Sequence, residues 1–297
     1  MVPRPALGTQ FRSIFFSPHP LRSLHGSQSI KVRHLNPNVF VIQNFLKPSE
    51  VERFLAIADT HKASFKHGLV EIAKNQRVRD PSRTSSVLEL PKLHNKDVFN
   101  VEMRAADLLG VEGDKIEPMQ VVEYVNGQKY NLHHDSGEIL PDGKVILTEP
   151  RSEFQCLCSV YYDANLNVCV LAGTATIFIY LTSSRCNEGY TEFPELGINV
   201  KPEAGMALLF SNVLETGEVD PRTVHQAHSV PKGQRKVGLN LWVSDYKQTA
   251  HVFNLCPAVF GQGVVRPETH GPGAPVVCPT KRKKLLHKGP SGLKAAE

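Results

Sequence analysis

The sequence predicts a mainly β fold (α+β in class) in which N-terminal helices buttress a β-sandwich or jelly roll. Two observations support this prediction. Helical patterns occur early in the chain, whereas from residue 117 onward short β-branched segments alternate with turns. The 297 residues, of which 41% are hydrophobic, can bury the core of one large domain or two small ones. Helices followed by many short strands are typical of a helix-buttressed sandwich or jelly roll.

Residues 1–34 are interpreted as a leader that is disordered or carries a targeting signal. This segment is rich in Pro, Ser and Arg, and the first acidic residue of the chain is Glu50. An acid-poor, Arg-containing start is typical of a transit segment and equally of a disordered leader, so both interpretations stay open. No apolar stretch reaches the ~18 residues of a membrane span, since the most apolar run, 168–181, is short and β-branched.

Residues 35–118 are predicted to form the N-terminal strand and the supporting helices. The β-branched and aromatic segment 39–45 reads as a strand. Ser49 is predicted to cap a first helix that ends near residue 61, and Asp97 to cap a second helix that Gly110 ends. The apolar stripes at helical spacing comprise Val51, Phe54, Leu55 and Ala58 in the first helix and Val98, Val101, Ala105 and Leu108 in the second.

Residues 119–245 are predicted to be the jelly-roll domain. Its predicted strands are 119–125, 176–181, 198–201, 207–210, 223–230 and 236–244. Residues 246–297 form a Pro/Gly-rich basic tail with the run Lys281-Arg-Lys-Lys284. Such a run can bind importin or nucleic acid, or remain a solvated chain end, and we expect no other nucleic-acid contact.

The six cysteines do not have the spacing of a zinc ribbon or zinc finger. Cys156 and Cys158 are separated by one residue and could bind a metal, but apolar thiols on a strand are the more common cause of such a pair. The cysteine pattern therefore leaves the redox compartment undecided.

A His-x-Asp pair follows the turn at Asn126-Gly127. Alternate side chains of a strand share one face, so we expect His133 and Asp135 to point the same way and His134 to point the other way. One imidazole and one carboxylate on one face are two-thirds of the facial triad that holds non-haem Fe(II).

The third ligand of such a triad would come from another strand, and the segment 223–236 offers His225 and His228. The two residues differ in strand parity, so only one of them can face inward. The same segment delivers Arg235 and Lys236 to the following strand. A basic side chain beside the metal could bind the far carboxylate of a dicarboxylic cosubstrate through a charge-assisted contact, although solvent-facing turn residues would have the same sequence.

Five segments, taken in order, resemble the prolyl 4-hydroxylase branch of the Fe(II)/2-oxoglutarate-dependent dioxygenases over residues 36–245. The most specific is Tyr124-x-x-Gly-x-x-Tyr-x-x-His-x-Asp135. The others are the opening segment 38–50, Arg83-Thr-Ser-Ser86, the pair Gly189-Tyr-Thr-Glu-Phe-Pro194 and Pro202-x-x-Gly-Met-Ala-Leu-Leu-Phe210, and the closing segment 225–242.

The resemblance implies a double-stranded β-helix with His133, Asp135 and His225 as iron ligands. It implies that Tyr124 hydrogen-bonds the cosubstrate 2-oxoglutarate. Counting forward from His225 gives Arg235 as the basic residue that binds 2-oxoglutarate, whereas counting back from Trp242 gives Lys236. Turns absorb insertions more readily than strands, which favours Lys236 slightly and keeps both residues as candidates.

The activity implied by the resemblance is hydroxylation of peptidyl proline, coupled to decarboxylation of 2-oxoglutarate to succinate and CO2. It requires Fe(II) and O2, with L-ascorbate keeping the iron reduced, and its partner is a proline-containing protein or peptide. The family implies the endoplasmic reticulum, while the cytoplasm, the nucleus or an organelle remain alternatives. The same chemistry on another side chain, a nucleobase or a small molecule is the first alternative function. A jelly-roll module that binds without catalysis is the second.

Two departures from the family pattern stand out. Tyr190 follows Gly189 where the family has a second glycine, which puts the close packing of that loop in doubt. Removing the 23 residues 152–174 would join Arg151 to the expected strand at Ala175. This apolar segment is interpreted as a lineage-specific extra hairpin or as translated intron sequence, and a transcript that covers codons 151–175 without a gap would exclude the intron.

Overall fold

The fold is a jelly roll made of two antiparallel sheets, with two helices against the larger sheet. The computed structural model describes residues 28–73, 76–147, 174–184, 188–214 and 218–244. The larger sheet has eight strands and the smaller one has four. The predicted fold class is therefore confirmed.

The larger sheet comprises β1 (Ser29–Leu35), β2 (Asn38–Gln43), β3 (Lys66–His67), β6 (Ser86–Glu89), β7 (Gln120–Val125), β11 (Ala175–Tyr180), β14 (Ala207–Ser211) and β16 (Arg235–Val243). The smaller sheet comprises β8 (Tyr130–His133), β12 (Thr191–Phe193), β13 (Ile198–Val200) and β15 (His225–Ala227). The strands of the larger sheet lie in the spatial order β1-β2-β14-β11-β16-β7-β6-β3, and those of the smaller sheet in the order β13-β12-β15-β8. Two hairpins add β4 (Val70–Ala73) with β5 (Gln76–Val78) and β9 (Gly137–Ile139) with β10 (Val145–Leu147).

Both predicted helices are present, but both predicted caps are wrong. Helix α1 spans Pro48–Thr60, and its first turn is closed by the carboxylate of Glu50, which accepts from the main-chain N–H of Lys47 at 2.8 Å. Helix α2 spans Lys96–Leu109 and is capped by Asn95, whose side chain accepts from Val98 N at 2.9 Å. Asn, like Asp, is a strong N-cap residue, so the position of the cap cannot be read from residue type alone when both lie within one turn.

Both faces of the larger sheet are buried, which explains its nearly continuous apolar strands. One face packs against the apolar stripes of α1 and α2 and forms the main core with residues such as Phe54, Val101 and Leu209. The other face turns toward the smaller sheet, where Phe193 and Phe210 are in edge contact. Since successive side chains of a strand alternate between faces, polar residues at alternate positions of β11 and β16 enter the space between the sheets.

The strand β1 begins at Ser29, so the folded region starts before residue 35, where the sequence analysis placed it. β1 is an edge strand in which Ile30 and Val32 alternate with polar residues, a strand pattern that the prediction did not use.

Several parts of the chain lie outside the described residues: residues 1–27, most of the 152–174 segment, all six cysteines and the basic tail. Thr174 is described, and its buried hydroxyl donates to Val243 O at 2.7 Å. Among the described residues, no helix is long and apolar enough to cross a membrane.

Candidate metal centre

Three side chains predicted to bind a metal converge between the two sheets. Asp135 Oδ1 lies 3.6 Å from His133 Nε2 and 3.8 Å from His225 Nε2. The ligand atoms of the three residues all lie within 4.8 Å of one another. The strand register brings the imidazoles together, because His225 of β15 pairs directly with His133 at the end of β8.

Both imidazoles are held in the tautomer that a metal requires. Nδ1 of His133 lies 2.8 Å from the main-chain oxygen of Asn131, and Nδ1 of His225 lies 3.0 Å from that of Thr223. A carbonyl oxygen only accepts hydrogen bonds, so each Nδ1 carries the proton and each Nε2 presents its lone pair to the shared space. Burial, with a smaller contribution from His225, lowers the pKa of His133 well below its usual range, which keeps the ring neutral.

The carboxylate of Asp135 is oriented by two polar residues that the sequence analysis did not single out. Thr176 Oγ1 donates to Asp135 Oδ2 at 2.6 Å, and Asn212 Nδ2 donates to Thr176 Oγ1 at 2.9 Å. Fixing Oδ2 in this way turns Oδ1 toward the imidazoles. One feature of the sequence could have identified Thr176. Alternate residues of a strand share a face, so Thr176 lies on the same inward face of β11 as Phe178 and Tyr180.

The local structure at Asp135 differs from the prediction. Strand β8 ends at His133, so Asp135 lies beyond the strand rather than in it. The buried side chain of His134 does not join the three ligands. The sequence spacing therefore brought this pair of side chains together as predicted, although a bend after the strand, rather than strand alternation, delivers the carboxylate.

The residues present fit a non-haem Fe(II) ion. Two neutral imidazoles and one carboxylate that meet on one side of a shared space are the donor set of the facial triad. In the described ranges, these are the residues whose side chains form a group of three that could hold a metal ion. His228, the alternative to His225, lies elsewhere: its Nε2 is 2.6 Å from Glu192 Oε2 and its ring stacks on Tyr190.

The amine of Lys236 lies in a buried aromatic pocket of the same inter-sheet space. Its Nζ donates to the main-chain oxygen of Gly189 at 2.7 Å, and it lies 5.3, 5.8 and 5.7 Å from the ring centroids of Tyr124, Phe178 and Tyr180. Burial lowers the pKa of Lys236 to about 7. Burial also raises the pKa of Tyr124 to about 12, so its phenol stays protonated and can donate a hydrogen bond.

Arg235, the other candidate for binding 2-oxoglutarate, lies on the opposite face of the larger sheet from Lys236. Its guanidinium binds Glu123 and contacts Asp59 Oδ1 at 2.7 Å. The difference follows from strand parity, because adjacent residues of β16 face opposite sides of the sheet. In register, Lys236 pairs with Tyr124 and faces the pocket with it.

Two glycines shape this pocket. A side chain at Gly238 would place Cβ 2.4 Å from Phe178 Cζ and 3.0 Å from the main-chain oxygen of Ile179, so the aromatic wall needs glycine here. Gly189 adopts a φ of 69°, a conformation that favours glycine, and directs its carbonyl at Lys236. The residue that replaces the family's second glycine, Tyr190, stacks on His228 at 4.0 Å and does not prevent the contact between Gly189 and Lys236.

Comparison with known proteins supports the family resemblance. No protein-family model matches the chain. "Probable prolyl 4-hydroxylase 3" of Arabidopsis thaliana is 28% identical over 222 residues, covering 71% of this chain and 70% of the relative. "Prolyl 4-hydroxylase 13" of the same plant is 25% identical over 211 residues, covering 71% and 72%. These relatives confirm the predicted resemblance to prolyl 4-hydroxylases.

Among solved structures, the 2OG complex of the viral collagen prolyl hydroxylase vCPH from Paramecium Bursaria Chlorella virus-1 is similar to this chain. The TM-score is 0.48 and the sequence identity 20%, and the match covers 69% of this chain and 95% of the viral one.

Substituting Thr176 tests the hydrogen bond that orients Asp135. Thr176→Val keeps the shape of the side chain and removes the donor to Oδ2, so the affinity for Fe(II), or for Co(II) as a probe, should fall roughly 10- to 100-fold. Isothermal titration of the purified protein measures this. Thr174→Val is the matched control, because it removes a buried hydroxyl that donates to Val243 O rather than to a ligand. Equal metal affinities in the two variants would contradict the assignment.

Proposed function

We propose that the chain is an Fe(II)- and 2-oxoglutarate-dependent dioxygenase that hydroxylates proline in a protein or peptide substrate. The observation that carries this proposal is the convergence of His133, Asp135 and His225 within 4.8 Å of one another. The prolyl 4-hydroxylases among its relatives support the choice of substrate class.

The bound iron would supply the site at which 2-oxoglutarate and dioxygen react, giving succinate, CO2 and a hydroxylated substrate. The protein contributes the arrangement of the donors. His133 and His225 offer neutral nitrogens whose tautomers are fixed by main-chain carbonyls, and Asp135 offers a carboxylate whose second oxygen is engaged by Thr176. Because these side chains are held before metal binds, little conformational entropy is lost on binding.

Lys236 is proposed to bind the distal carboxylate of 2-oxoglutarate. Its amine is buried, and its one hydrogen bond among the described residues is to a neutral carbonyl, so an anion would supply the missing charge partner. Tyr124, beside it in register, is proposed to donate a second hydrogen bond to the same ligand. Charge-assisted contacts of this kind are strong where water is excluded.

The substrate and the reductant extend this proposal. Proline-rich peptides are the proposed substrates, and ascorbate is the proposed reductant that restores Fe(II). Two outcomes would replace the proposed function. One is hydroxylation of a different class of substrate, and the other is binding without turnover.

Succinate production tests the function. The purified protein with Fe(II), 2-oxoglutarate, ascorbate and proline-rich peptides should release succinate, and mass spectrometry should locate a gain of one oxygen on proline. His133→Ala and Asp135→Ala should each abolish succinate release, because two ligands hold the metal too weakly. Succinate release without oxidation of proline would indicate that the substrate belongs to another class. Wild-type turnover by either variant would refute the ligand set.

A pair of substitutions in β16 tests the assignment of the cosubstrate residue. Lys236→Met keeps much of the side-chain volume and removes the charge, so the KM for 2-oxoglutarate should rise roughly 10- to 100-fold, the loss expected for a charged hydrogen bond. Arg235→Gln, the adjacent residue on the opposite face, should change this KM little. A larger effect from Arg235→Gln would reverse the assignment.

The pH dependence of cosubstrate binding provides an independent test. Lys236 has a pKa of about 7 in the ligand-free protein, so above that pH it is mostly neutral and must take up a proton to pair with the carboxylate. The Kd for 2-oxoglutarate, measured with Mn(II) to prevent turnover, should therefore rise about tenfold per pH unit above 7. Titrations at pH 8 in buffers of different ionisation enthalpy should detect proton uptake. Lys236→Arg should abolish the uptake, because arginine stays charged.

A further inference from the structure

His134 lies between two proposed ligands in sequence, and its side chain points away from the metal site. It is buried, with only 2% of its surface exposed. Nδ1 accepts a hydrogen bond from Ser136 N at 3.1 Å, and Nε2 lies 3.0 Å from Asp220 O and 3.2 Å from Thr223 Oγ1. The imidazole therefore spans from its own segment to one that is 86 residues away in sequence.

The hydrogen bonds fix which nitrogen carries the proton. The main-chain N–H of Ser136 donates to Nδ1, so Nδ1 holds a lone pair and the proton is on Nε2. That Nε2–H then donates to Asp220 O and is shared with the Thr223 hydroxyl. Each ring nitrogen of this buried side chain has a partner suited to it.

Thr223, which His134 contacts, also contacts the third proposed ligand, His225. Thr223 O accepts from Nδ1 of His225 at 3.0 Å, so the residue that His134 contacts is also the one that orients His225. Asp220 is itself anchored, because its carboxylate binds Arg222 and its main-chain N–H donates to Asn212 O at 3.0 Å. Asn212 in turn donates to Thr176, the residue that orients Asp135.

The sheet alone fixes the two ligand-bearing segments weakly. Strands β8 and β15 pair at only two positions, His133 with His225 and Tyr130 with Ala227, and the register is irregular between them. Short, irregular pairings specify register poorly. A second connection close to the ligands would therefore decide how far apart their donor atoms lie.

We propose that His134 is a positioning residue that ties the segment bearing His133 and Asp135 to the segment bearing His225, and so sets the spacing of the metal ligands. This inference rests on the proposed metal site. His134 touches neither metal nor substrate, and it acts through Asp220 and Thr223.

Two substitutions separate the two ends of the bridge. In His134→Asn, the amide oxygen occupies the position of Nδ1 and can still accept from Ser136 N, but the side chain is too short to reach Asp220 O. In His134→Gln, the amide nitrogen reaches the position of Nε2 and can donate to Asp220 O. Each variant retains one hydrogen-bonding function, so the two differ mainly in whether the segments remain connected.

Titration of the metal-free chain with Co(II) measures the effect without requiring turnover, and the visible absorption of bound Co(II) reports the geometry of its ligands. His134→Asn should raise the Kd for Co(II) roughly 10- to 100-fold and change the spectrum, the size expected when a residue that orients ligands is lost. His134→Gln should recover most of the affinity and the parent spectrum. Asn95→Ala is the control for general destabilisation, because it removes a helix cap on the other side of the larger sheet, and it should leave the Kd unchanged.

Equal Co(II) affinities in the parent and His134→Asn, or equal losses in His134→Asn and His134→Gln, would overturn the inference while leaving the metal site intact. A parent chain that binds no Co(II) would overturn the proposed function as well. If His134→Asn does not fold, His134→Leu provides the deciding measurement. It fills the buried space but hydrogen-bonds neither segment, including the main-chain oxygen of Asp220. The parent Kd in His134→Leu would overturn the inference.

Discussion

The pairing of His133 with His225 across the smaller sheet is the constraint on which the rest of the site depends. It brings together two residues that are far apart in sequence, and it leaves both Nε2 atoms facing the carboxylate of Asp135. A slip of one residue would turn one imidazole to the opposite face of the sheet, because side chains alternate along a strand. The hydrogen bonds from Nδ1 to main-chain carbonyls then fix the rotation of each ring, which the register alone does not.

A buried lysine is costly, and Lys236 illustrates why such residues mark binding sites. The shift of its pKa from 10.5 to about 7 arises from burial and corresponds to about 5 kcal/mol. Since the pKa is lowered in the folded state, this cost is felt fully below pH 7 and disappears above pH 10.5. The aromatic walls that exclude water are the source of the cost, and they would also make the attraction for an anion strong.

Much of the site follows from the sequence because its key spacings lie within single elements. Counting back from Trp242 selects Lys236, which faces the pocket between the sheets, because Lys236 and Trp242 both lie in β16 and a strand keeps its period of two. Counting forward from His225 selects Arg235. The residues between them include a loop, and the alternation of side chains between the two faces of a strand does not continue through a loop. The predicted fold class followed in the same way from helical and strand periodicities.

The features that the sequence did not reveal depend on contacts between distant segments. Thr176 and Asn212 become recognisable only when β11 and β14 lie side by side, and the role inferred for His134 requires knowing where Asp220 lies. The helix caps at Lys47 and Asn95 were misplaced for a different reason, since several residues near each helix start could cap it and only the backbone geometry decides among them.

The contact between Lys236 and Gly189 has a consequence for how this protein can change over generations. The atom that receives the amine's hydrogen bond is a main-chain oxygen, and every amino acid supplies that oxygen. No single codon change can delete it, so this anchor persists through substitutions that would remove a side-chain partner. Selection can act on the shape of the loop, and the left-handed conformation at position 189 favours sequences that keep glycine there.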